Sequence, residues 1–197
     1  MGGFGIWVFA YGSLMDPAEA ARTLGRVPEM RPAVAEGLAR SWCVGTAGRA
    51  YACEACGGRL PVAVVLGVRP AAGARTSGVV LRLTGAERRS LDRREASYTP
   101  AWLAPRAVHA RPPLPRDAEV LVYVPDPRRL AAAGRPGAAV PAAYAGTVAR
   151  ALAAAWPGDP PPPLVTAIDA GPVALREGLR FAGPDPGRRV PDCGCGG

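Results

Sequence analysis

The feature that most constrains this chain is an apolar run, residues 6–11, that stops abruptly at Gly12-Ser13. A short apolar run bounded by turn residues is typical of a buried strand. Asp16-Pro17 follows closely, and Asp as an N-cap with Pro at the first helical position predicts a helix. Gly25 is a suitable end for that helix. We therefore expect the chain to begin with a strand, a tight turn and a helix.

The later apolar segments predict strands more often than helices. Residues 62–68 and 77–83 flank a turn signal, Ala-Ala-Gly at residues 71–73, and together predict a β-hairpin. Further extended segments are predicted at residues 34–44, 103–110 and 119–124. Several short strands with few helices indicate an α+β fold built on a mixed, mainly antiparallel sheet or small barrel.

Two more helices are marked by their first residues. Thr84 and Glu87 have the spacing of a capping box, which predicts a helix over residues 85–93. Glu95 would lie just past the end of that helix. Pro at position 141 fits the start of an Ala-rich helix that reaches residue 156.

The C-terminal part has a different composition. Residues 157–163 are too rich in proline for a helix or strand and fit a stiff connector to a last ordered segment around residues 164–181. A Gly-, Pro- and Arg-rich stretch follows. We expect a single domain over residues 1–183 and a flexible tail over residues 184–197.

Charge and hydropathy exclude several classes of protein. The chain has 24 basic residues, all Arg, and a net charge of +8. Uniform Arg with abundant Ala, Gly and Pro is typical of a high-GC bacterial genome, and the charge would favour anionic substrates. The Arg residues are scattered, which does not favour nucleic-acid binding. No apolar run near the start approaches the roughly 20 residues of a membrane span, and no signal peptide is recognisable, so we expect no membrane association and a cytoplasmic protein.

The turn Tyr11-Gly12-Ser13-Leu14 is the first feature that suggests chemistry. A strand that runs into Gly-Ser and then a capped helix leaves backbone N–H groups available to cradle an anion or oxyanion. Gly12 permits close approach of a ligand, and the Tyr11 and Ser13 hydroxyls add donors. Such turns are common, however, and a purely connecting role stays open.

The second feature is the charged stretch at residues 91–95, Leu-Asp-Arg-Arg-Glu. Charge clusters at a helix end are usually solvated surface. Spacing alone does not single out Glu95 over Glu87 or Glu177.

Taken together, the two features resemble the γ-glutamylcyclotransferase superfamily. Residues 9–14, Phe-Ala-Tyr-Gly-Ser-Leu, resemble its N-terminal signature. Residues 78–83, followed by residues 91–95 and Tyr98, are similar to its second signature, and the order of the two blocks also matches. Residues 37–40 and residues 141–144, which include Tyr144, resemble further segments. The resemblance covers roughly residues 6–156.

This resemblance implies a small mixed β-barrel with flanking helices and a reaction. The α-amine of a γ-glutamyl group attacks its own γ-carbonyl, which releases 5-oxoproline and a free amine. Glu95 would be the general acid/base, the backbone of Tyr11 to Leu14 would bind the small γ-glutamyl substrate, and Tyr98 and Tyr144 would also contact it. The reaction needs no metal or organic cofactor.

The chain also departs from the family pattern. Motif residues of the members that act on glutathione are not clearly present, and residues 53–58 and the tail lie outside the pattern. These departures favour an enzyme that removes a γ-glutamyl group from a biosynthetic intermediate.

Four cysteines form two close pairs, Cys53 with Cys56 and Cys193 with Cys195. They could hold a structural zinc ion, although the second spacing is atypical; a redox pair or unconnected thiols are the alternatives. Cys43 is expected in the core, and the lone His109 is expected to be a packed or surface residue.

Two other functions stay open at this point. One is a non-catalytic protein of the same fold that binds a small acidic metabolite. The other is a zinc-stabilised interaction module with a basic surface for an acidic partner.

Overall fold

The computed structural model describes residues 5–47, 51–54, 58, 62–133, 138–157, 167–168, 171–172, 174–176 and 179–181. The strands are β1 (Ile6–Ala10), β2 (Glu29–Ala47), β3 (Tyr51–Cys53), β4 (Val62–Leu83), β5 (Tyr98–Leu103), β6 (Val108–Ala110), β7 (Val120–Pro125), β8 (Ala138–Pro141), β9 (Ala167–Ile168), β10 (Gly171–Pro172), β11 (Ala174–Arg176) and β12 (Leu179–Phe181). The α-helices are α1 (Pro17–Leu24), α2 (Gly85–Arg94), α3 (Pro127–Ala133) and α4 (Ala142–Ala155).

Contacts between residues divide the chain into two compact units. The first comprises residues 1–40, 68–125 and 147–163, and the second comprises residues 41–67, 126–146 and 164–197. The expectation of one domain over residues 1–183 stays a prediction, and the predicted tail, 184–197, lies outside the described residues.

The sheet of the first unit is built around β1. This strand pairs antiparallel with β4, where Ala10 lies opposite Val79, and parallel with β7, where Trp7 lies opposite Val120. The apolar run of β1 is buried from Trp7 to Ala10, as the sequence predicts. Gly78 on β4 lies so close to β1 that a Cβ there would stand 2.3 Å from the Ala10 carbonyl oxygen.

The strand order of this unit is β6–β2–β4–β1–β7–β5. Four of the five pairs of neighbouring strands include β1, β4 or β7. The β2–β6, β1–β4 and β5–β7 pairs are antiparallel. The predicted mixed α+β fold with a mainly antiparallel sheet is therefore confirmed. The sheet does not close into the predicted barrel, because β5 and β6 are its edge strands and do not pair with each other among the described strands.

The two N-terminal helices have the predicted ends. Asp16 caps α1 by accepting from the Ala18 and Glu19 amides at 2.8 and 3.2 Å, and Gly25 ends it with φ of +79°. Thr84 and Glu87 form the capping box of α2. That helix runs one residue beyond the prediction, to Arg94, and Glu95 is its C-cap. Helices α1 and α2 contact each other.

The predicted hairpin at residues 62–83 is wrong. Strand β4 runs without reversal over 22 residues. Gly73 does adopt a left-handed conformation, with φ of +73°, which a strand can absorb as a local irregularity as well as a turn can. The single strand predicted over residues 103–110 is also wrong, since a 3-10 turn, Pro105–Ala107, separates β5 from β6.

The second unit contains shorter pairings. Strand β8 pairs parallel with β11 and with the first two residues of β4, and β3 pairs antiparallel with β12. Cys53, Ala63 and Ala139 form a small buried cluster with Tyr51 packed against it. Helix α4, whose residues from 147 onward belong to the first unit, was predicted over residues 141–156 and is confirmed within one residue at each end. Helix α3 and strand β8 were not predicted.

Among the described residues, no helix combines the length and apolar character that crossing a membrane requires.

Candidate active site

The turn after β1 is a short 3-10 segment, Ser13–Met15, that bonds to itself. The Met15 and Asp16 amides donate to the Gly12 and Ser13 carbonyl oxygens, each at 3.0 Å. These two amides are therefore committed to the turn. Any oxyanion donors would have to come from the amides of residues 11–14, which stays a prediction.

The Tyr11 side chain links this turn to the core of the first unit. Its buried hydroxyl donates to the Tyr123 carbonyl oxygen at 2.7 Å, so the proton expected to serve a substrate already has an acceptor within the protein. The Tyr123 hydroxyl donates in turn to Asp92 Oδ1 on α2 at 2.5 Å. Burial and the neighbouring Asp92 raise the pKa of Tyr123 well above its ordinary value. Tyr123 therefore acts here as a neutral donor that connects the strands with α2.

Glu95 is held by its backbone on both sides. Its N–H donates to the Leu91 carbonyl oxygen at 2.8 Å, and its own carbonyl oxygen accepts from the Tyr98 N–H at 2.8 Å. The chain thus leaves α2 and enters β5 within a few residues of the carboxylate. Burial raises the pKa of Glu95, and the charge of Arg94 opposes this rise. A carboxyl group with a raised pKa can both accept and return a proton near neutral pH.

Arg94 joins the two predicted halves of the site. Its Nη2 donates to Ser13 Oγ at 3.1 Å, across 81 residues of sequence. Its Nη1 lies 3.5 Å from Glu95 Oε1. The structure therefore brings Ser13 and Glu95 to opposite nitrogens of one guanidinium group.

A second arginine supports the other side of the turn. Arg40 on β2 is buried, and its Nη1 donates to the carbonyl oxygens of Tyr11 at 3.3 Å and Ser77 at 2.9 Å. The Ser77 hydroxyl is also buried, and it has no hydrogen-bond partner among the described residues. Two guanidinium groups thus flank the turn, which gives it a positive environment suited to carboxylate anions.

The two predicted tyrosines lie in different units. Tyr98 begins β5 opposite Pro125, three residues after Glu95. Tyr144 belongs to the second unit, where its ring meets that of Trp42 edge-to-face, with centroids 5.9 Å apart. Contact of either ring with a substrate stays a prediction.

The zinc hypothesis is largely outside what the structure describes. Cys53 is buried at the end of β3, whereas Cys56, Cys193 and Cys195 lie outside the described residues. Within the described part of the chain, no group of three or more His, Cys, Asp or Glu side chains is placed to bind a metal ion. The zinc site stays a prediction without structural support.

The two remaining expectations on single residues are confirmed. Cys43 is buried in the second unit. His109 lies at the surface, with Nε2 3.1 Å from Glu36 Oε1.

Sequence reasoning did not assign several side chains of this region. Arg94 and Asp92 lie inside the charged block at residues 91–95, so a charge pattern was visible without a role. Arg40 likewise lies in a segment that was noted for its resemblance alone. Nothing in the sequence marks Tyr123 or Ser77, since their importance arises from contacts between strands.

Comparison with known proteins bears on this arrangement. The family model "Gamma-glutamyl cyclotransferase, AIG2-like" matches residues 8–138. No curated protein matches the sequence. Among solved structures, a yeast γ-glutamyl cyclotransferase specific to glutathione is similar at 19% identity with a TM-score of 0.54, over 79% of this chain and 89% of that chain.

A second solved structure, described as a γ-glutamyl cyclotransferase, is similar at 12% identity with a TM-score of 0.50, over 78% of this chain and 82% of that chain. At these identities the two structures support the fold. The family model covers residues 8–138, more than half of the chain, and the chain therefore belongs to the gamma-glutamyl cyclotransferase, AIG2-like family.

Proposed function

We propose that this protein cyclises a γ-glutamyl amide to 5-oxoproline and releases the amine. The observation that carries the proposal is that Ser13 of the turn and the Glu95 carboxylate meet around the Arg94 guanidinium. A binding loop and a proton acceptor are the two parts that this reaction needs. Family membership makes this chemistry the natural choice for them.

The reaction is intramolecular, because the substrate carries its own nucleophile. The α-amine attacks the γ-carbonyl carbon, a C–N bond forms to close the five-membered ring, and the original amide C–N bond then breaks. Holding the γ-glutamyl chain folded so that these atoms are close supplies much of the rate advantage. The positive charges of Arg40 and Arg94 near the turn would favour approach of the substrate's α-carboxylate, without a direct bond to it from Arg94.

Glu95 would move the proton. The α-amine is protonated at rest, with a reference pKa of about 7.7–8.0. The Glu95 carboxylate takes one proton from the ammonium group, which frees the nitrogen lone pair for attack, and a second proton leaves the same nitrogen once the ring C–N bond has formed. Both protons pass to the departing nitrogen, which leaves as an ammonium group, and the Glu95 charge is restored at the end. Burial, which raises the pKa of Glu95, narrows the difference in proton affinity between the two groups. Backbone amides of residues 11–14 would stabilise the oxyanion.

For the substrate, we propose a γ-glutamylated amine formed in a biosynthetic sequence. The support is the departure of this chain from the motifs of glutathione-acting members. The yeast protein is specific to glutathione, so glutathione is the competing substrate.

The test is release of 5-oxoproline from a panel of glutathione, γ-glutamyl amino acids and γ-glutamyl amines. Wild type and Glu95→Gln are compared, with Glu87→Gln as the matched control because Glu87 lies on the same helix. We expect turnover of γ-glutamyl amines by wild type and Glu87→Gln, and its loss in folded Glu95→Gln. Absence of turnover on the whole panel, or equal turnover by all three proteins, would refute the proposal.

A further inference from the structure

Arg94 lies between the turn and the proposed base. One terminal nitrogen donates to Ser13 Oγ at 3.1 Å, and the other lies 3.5 Å from Glu95 Oε1. Because a guanidinium group is planar and its nitrogens are fixed relative to each other, two contacts on different nitrogens define its orientation. The side chain is 30% exposed, so these polar contacts contribute to holding it where packing is incomplete.

We propose that Arg94 is a positioning residue: its guanidinium group holds the Glu95 carboxylate beside the turn of residues 11–14 and is the counter-ion of that carboxylate. This inference rests on the proposed function, because it assigns a role within the same reaction. Arg94 acts through Glu95 and forms no bond with the reacting atoms.

The charges on α2 support this assignment. Burial raises the pKa of Glu95, and the Arg94 charge is what opposes that rise. Asp92 and Arg88, on the same helix, form an ion pair with Arg88 Nε 3.6 Å from Asp92 Oδ2. Arg94 is thus the cation of α2 that acts on Glu95.

Strands β5 and β7, which the structure describes in full, contain no charged residue that could compensate Glu95. From β7, Tyr123 is neutral, its hydroxyl is bonded to Asp92, and the Glu95 charge raises its pKa further. From β5, Tyr98 follows Glu95 in the chain and carries no charge at neutral pH. From the turn, Ser13 offers a hydroxyl that Arg94 engages. Removal of Arg94 would therefore leave the Glu95 carboxylate buried without a compensating cation nearby on these elements.

A purely structural role has to be separated from this one. A cation in the last turn of a helix stabilises the helix by interacting with its dipole. Arg93 lies in the same last turn, and its Nη2 donates to Ser90 Oγ of the same helix at 3.0 Å. Arg93→Gln removes an equal charge from the helix end, and it therefore serves as the matched control.

The experiment compares wild type, Arg94→Gln, Arg94→Lys and Arg93→Gln in two measurements. The first is the pH dependence of kcat/KM for 5-oxoproline release. The second is an NMR titration of the Glu95 side-chain carboxyl in ¹³C-glutamate-labelled protein, which does not depend on activity. Thermal melting checks that each variant is folded.

We expect Arg94→Gln to move the acid limb of the pH profile and the Glu95 titration to higher pH, because the opposing cation is gone. We also expect a loss of kcat of up to about 100-fold from misplacement of the base. Arg94→Lys should restore most of the titration, since it keeps the charge, but less of kcat, since it lacks the second donor group. Arg93→Gln should resemble wild type.

An unchanged Glu95 titration in Arg94→Gln would overturn the inference, as would an equal shift in Arg93→Gln. Failure of the proposed function has a different signature, because wild type would then release no 5-oxoproline while the titration still decides whether Arg94 controls Glu95.

Discussion

The two ends of helix α2 each carry a glutamate beside an arginine, yet the pKa values of the two glutamates are shifted in opposite directions. Glu87 lies in the first turn with Arg26, and Glu95 ends the helix with Arg94. Their side chains are similarly covered, with 11% exposure for Glu87 and 17% for Glu95. Exposure alone therefore does not distinguish them.

The difference lies in the donors that each carboxylate receives. Partial burial raises the pKa of Glu87, but the Thr84 N–H at 2.7 Å and Arg26, whose Nη2 and Nε lie 2.9 and 2.6 Å away, more than offset it and lower the pKa. Glu95 has Arg94 at 3.5 Å, longer than a charge-assisted hydrogen bond, and its pKa is raised. Helix α2 thus carries one carboxylate, Glu87, that is stabilised as an anion by the hydrogen bonds of the helix cap, and another, Glu95, that accepts a proton more readily.

The largest effect that would sharpen this contrast is in the pH dependence of activity. A base with a raised pKa is protonated, and so inactive, at pH values where an ordinary glutamate is still ionised. We expect kcat/KM of wild type to fall about tenfold per pH unit on the acid side, with its midpoint above the ordinary glutamate value. Steady-state assays from pH 4 to pH 8 measure this. The midpoint of this acid limb should be the same in Glu87→Gln as in wild type. A shift of the midpoint in Glu87→Gln would mean that Glu87, and not Glu95, is the base.

The next effect is on stability at the other end of the helix. Glu87→Gln removes the charge from the Arg26 pair and weakens the capping box, and it should cost about 0.3–1.5 kcal/mol of the free energy of unfolding. Because the folded pKa of Glu87 is lowered, this stabilisation is present above the ordinary pKa and is lost as the pH falls through the folded value. Urea unfolding at pH 7 and pH 3 should therefore show a difference from wild type that narrows at the lower pH.

Glu19→Gln is a suitable control for that measurement. Glu19 also lies in the first turn of a helix and pairs with an arginine, Arg22, at 2.8 Å, but Asp16 supplies the cap of α1. A surface pair of this kind contributes little. If Glu19→Gln costs as much as Glu87→Gln, the capping role given to Glu87 is wrong.

A smaller effect of opposite sign is expected for Glu95→Gln. The folded pKa of Glu95 is raised, so wild type loses stability as the pH rises from the ordinary glutamate value through the folded value, where a buried charge forms. Gln avoids that charge. The variant should be more stable than wild type at pH 7 in urea unfolding, and the two should converge below the ordinary pKa. A variant less stable at pH 7 would show that the ionised carboxylate is well compensated in the folded protein.

The same contrast explains which parts of the fold could be predicted. The ends of α1 and α2 depend on contacts within three or four residues, so Asp16, Gly25 and the Thr84 capping box were visible in sequence. The continuity of β4 depends on its pairing with β2 and, over residues 79–83, with β1, and the local turn signal at Gly73 was misleading. Strand β8 depends on distant partners in the same way.

The same distinction, between local contacts and contacts of distant segments, applies to the candidate site. The resemblance of residues 91–95 selected Glu95 over Glu87, a choice that spacing could not make. In physical terms Glu95 differs from Glu87 by the shortage of hydrogen-bond donors around a covered carboxylate, which is decided only when α2 packs. The contact of Arg94 with Ser13 spans 81 residues, and no local pattern could have indicated it.

The smallest effect concerns the neighbouring hydroxyl groups of Thr76 and Ser77 on β4. As with the two glutamates, hydrogen bonding distinguishes the two groups, but neither hydroxyl is charged. Thr76 Oγ1 donates to the Leu38 carbonyl oxygen at 2.7 Å, whereas the buried Ser77 Oγ has no partner among the described residues. Thr76→Val should therefore cost about 1 kcal/mol, and Ser77→Ala should be neutral or stabilise by up to about 1 kcal/mol, because a buried hydroxyl without a hydrogen bond is unfavourable. Urea unfolding of both variants tests this. Destabilisation by Ser77→Ala equal to that by Thr76→Val would mean that a bound water satisfies Ser77, and the polar environment beside the turn would then be hydrated before any substrate arrives.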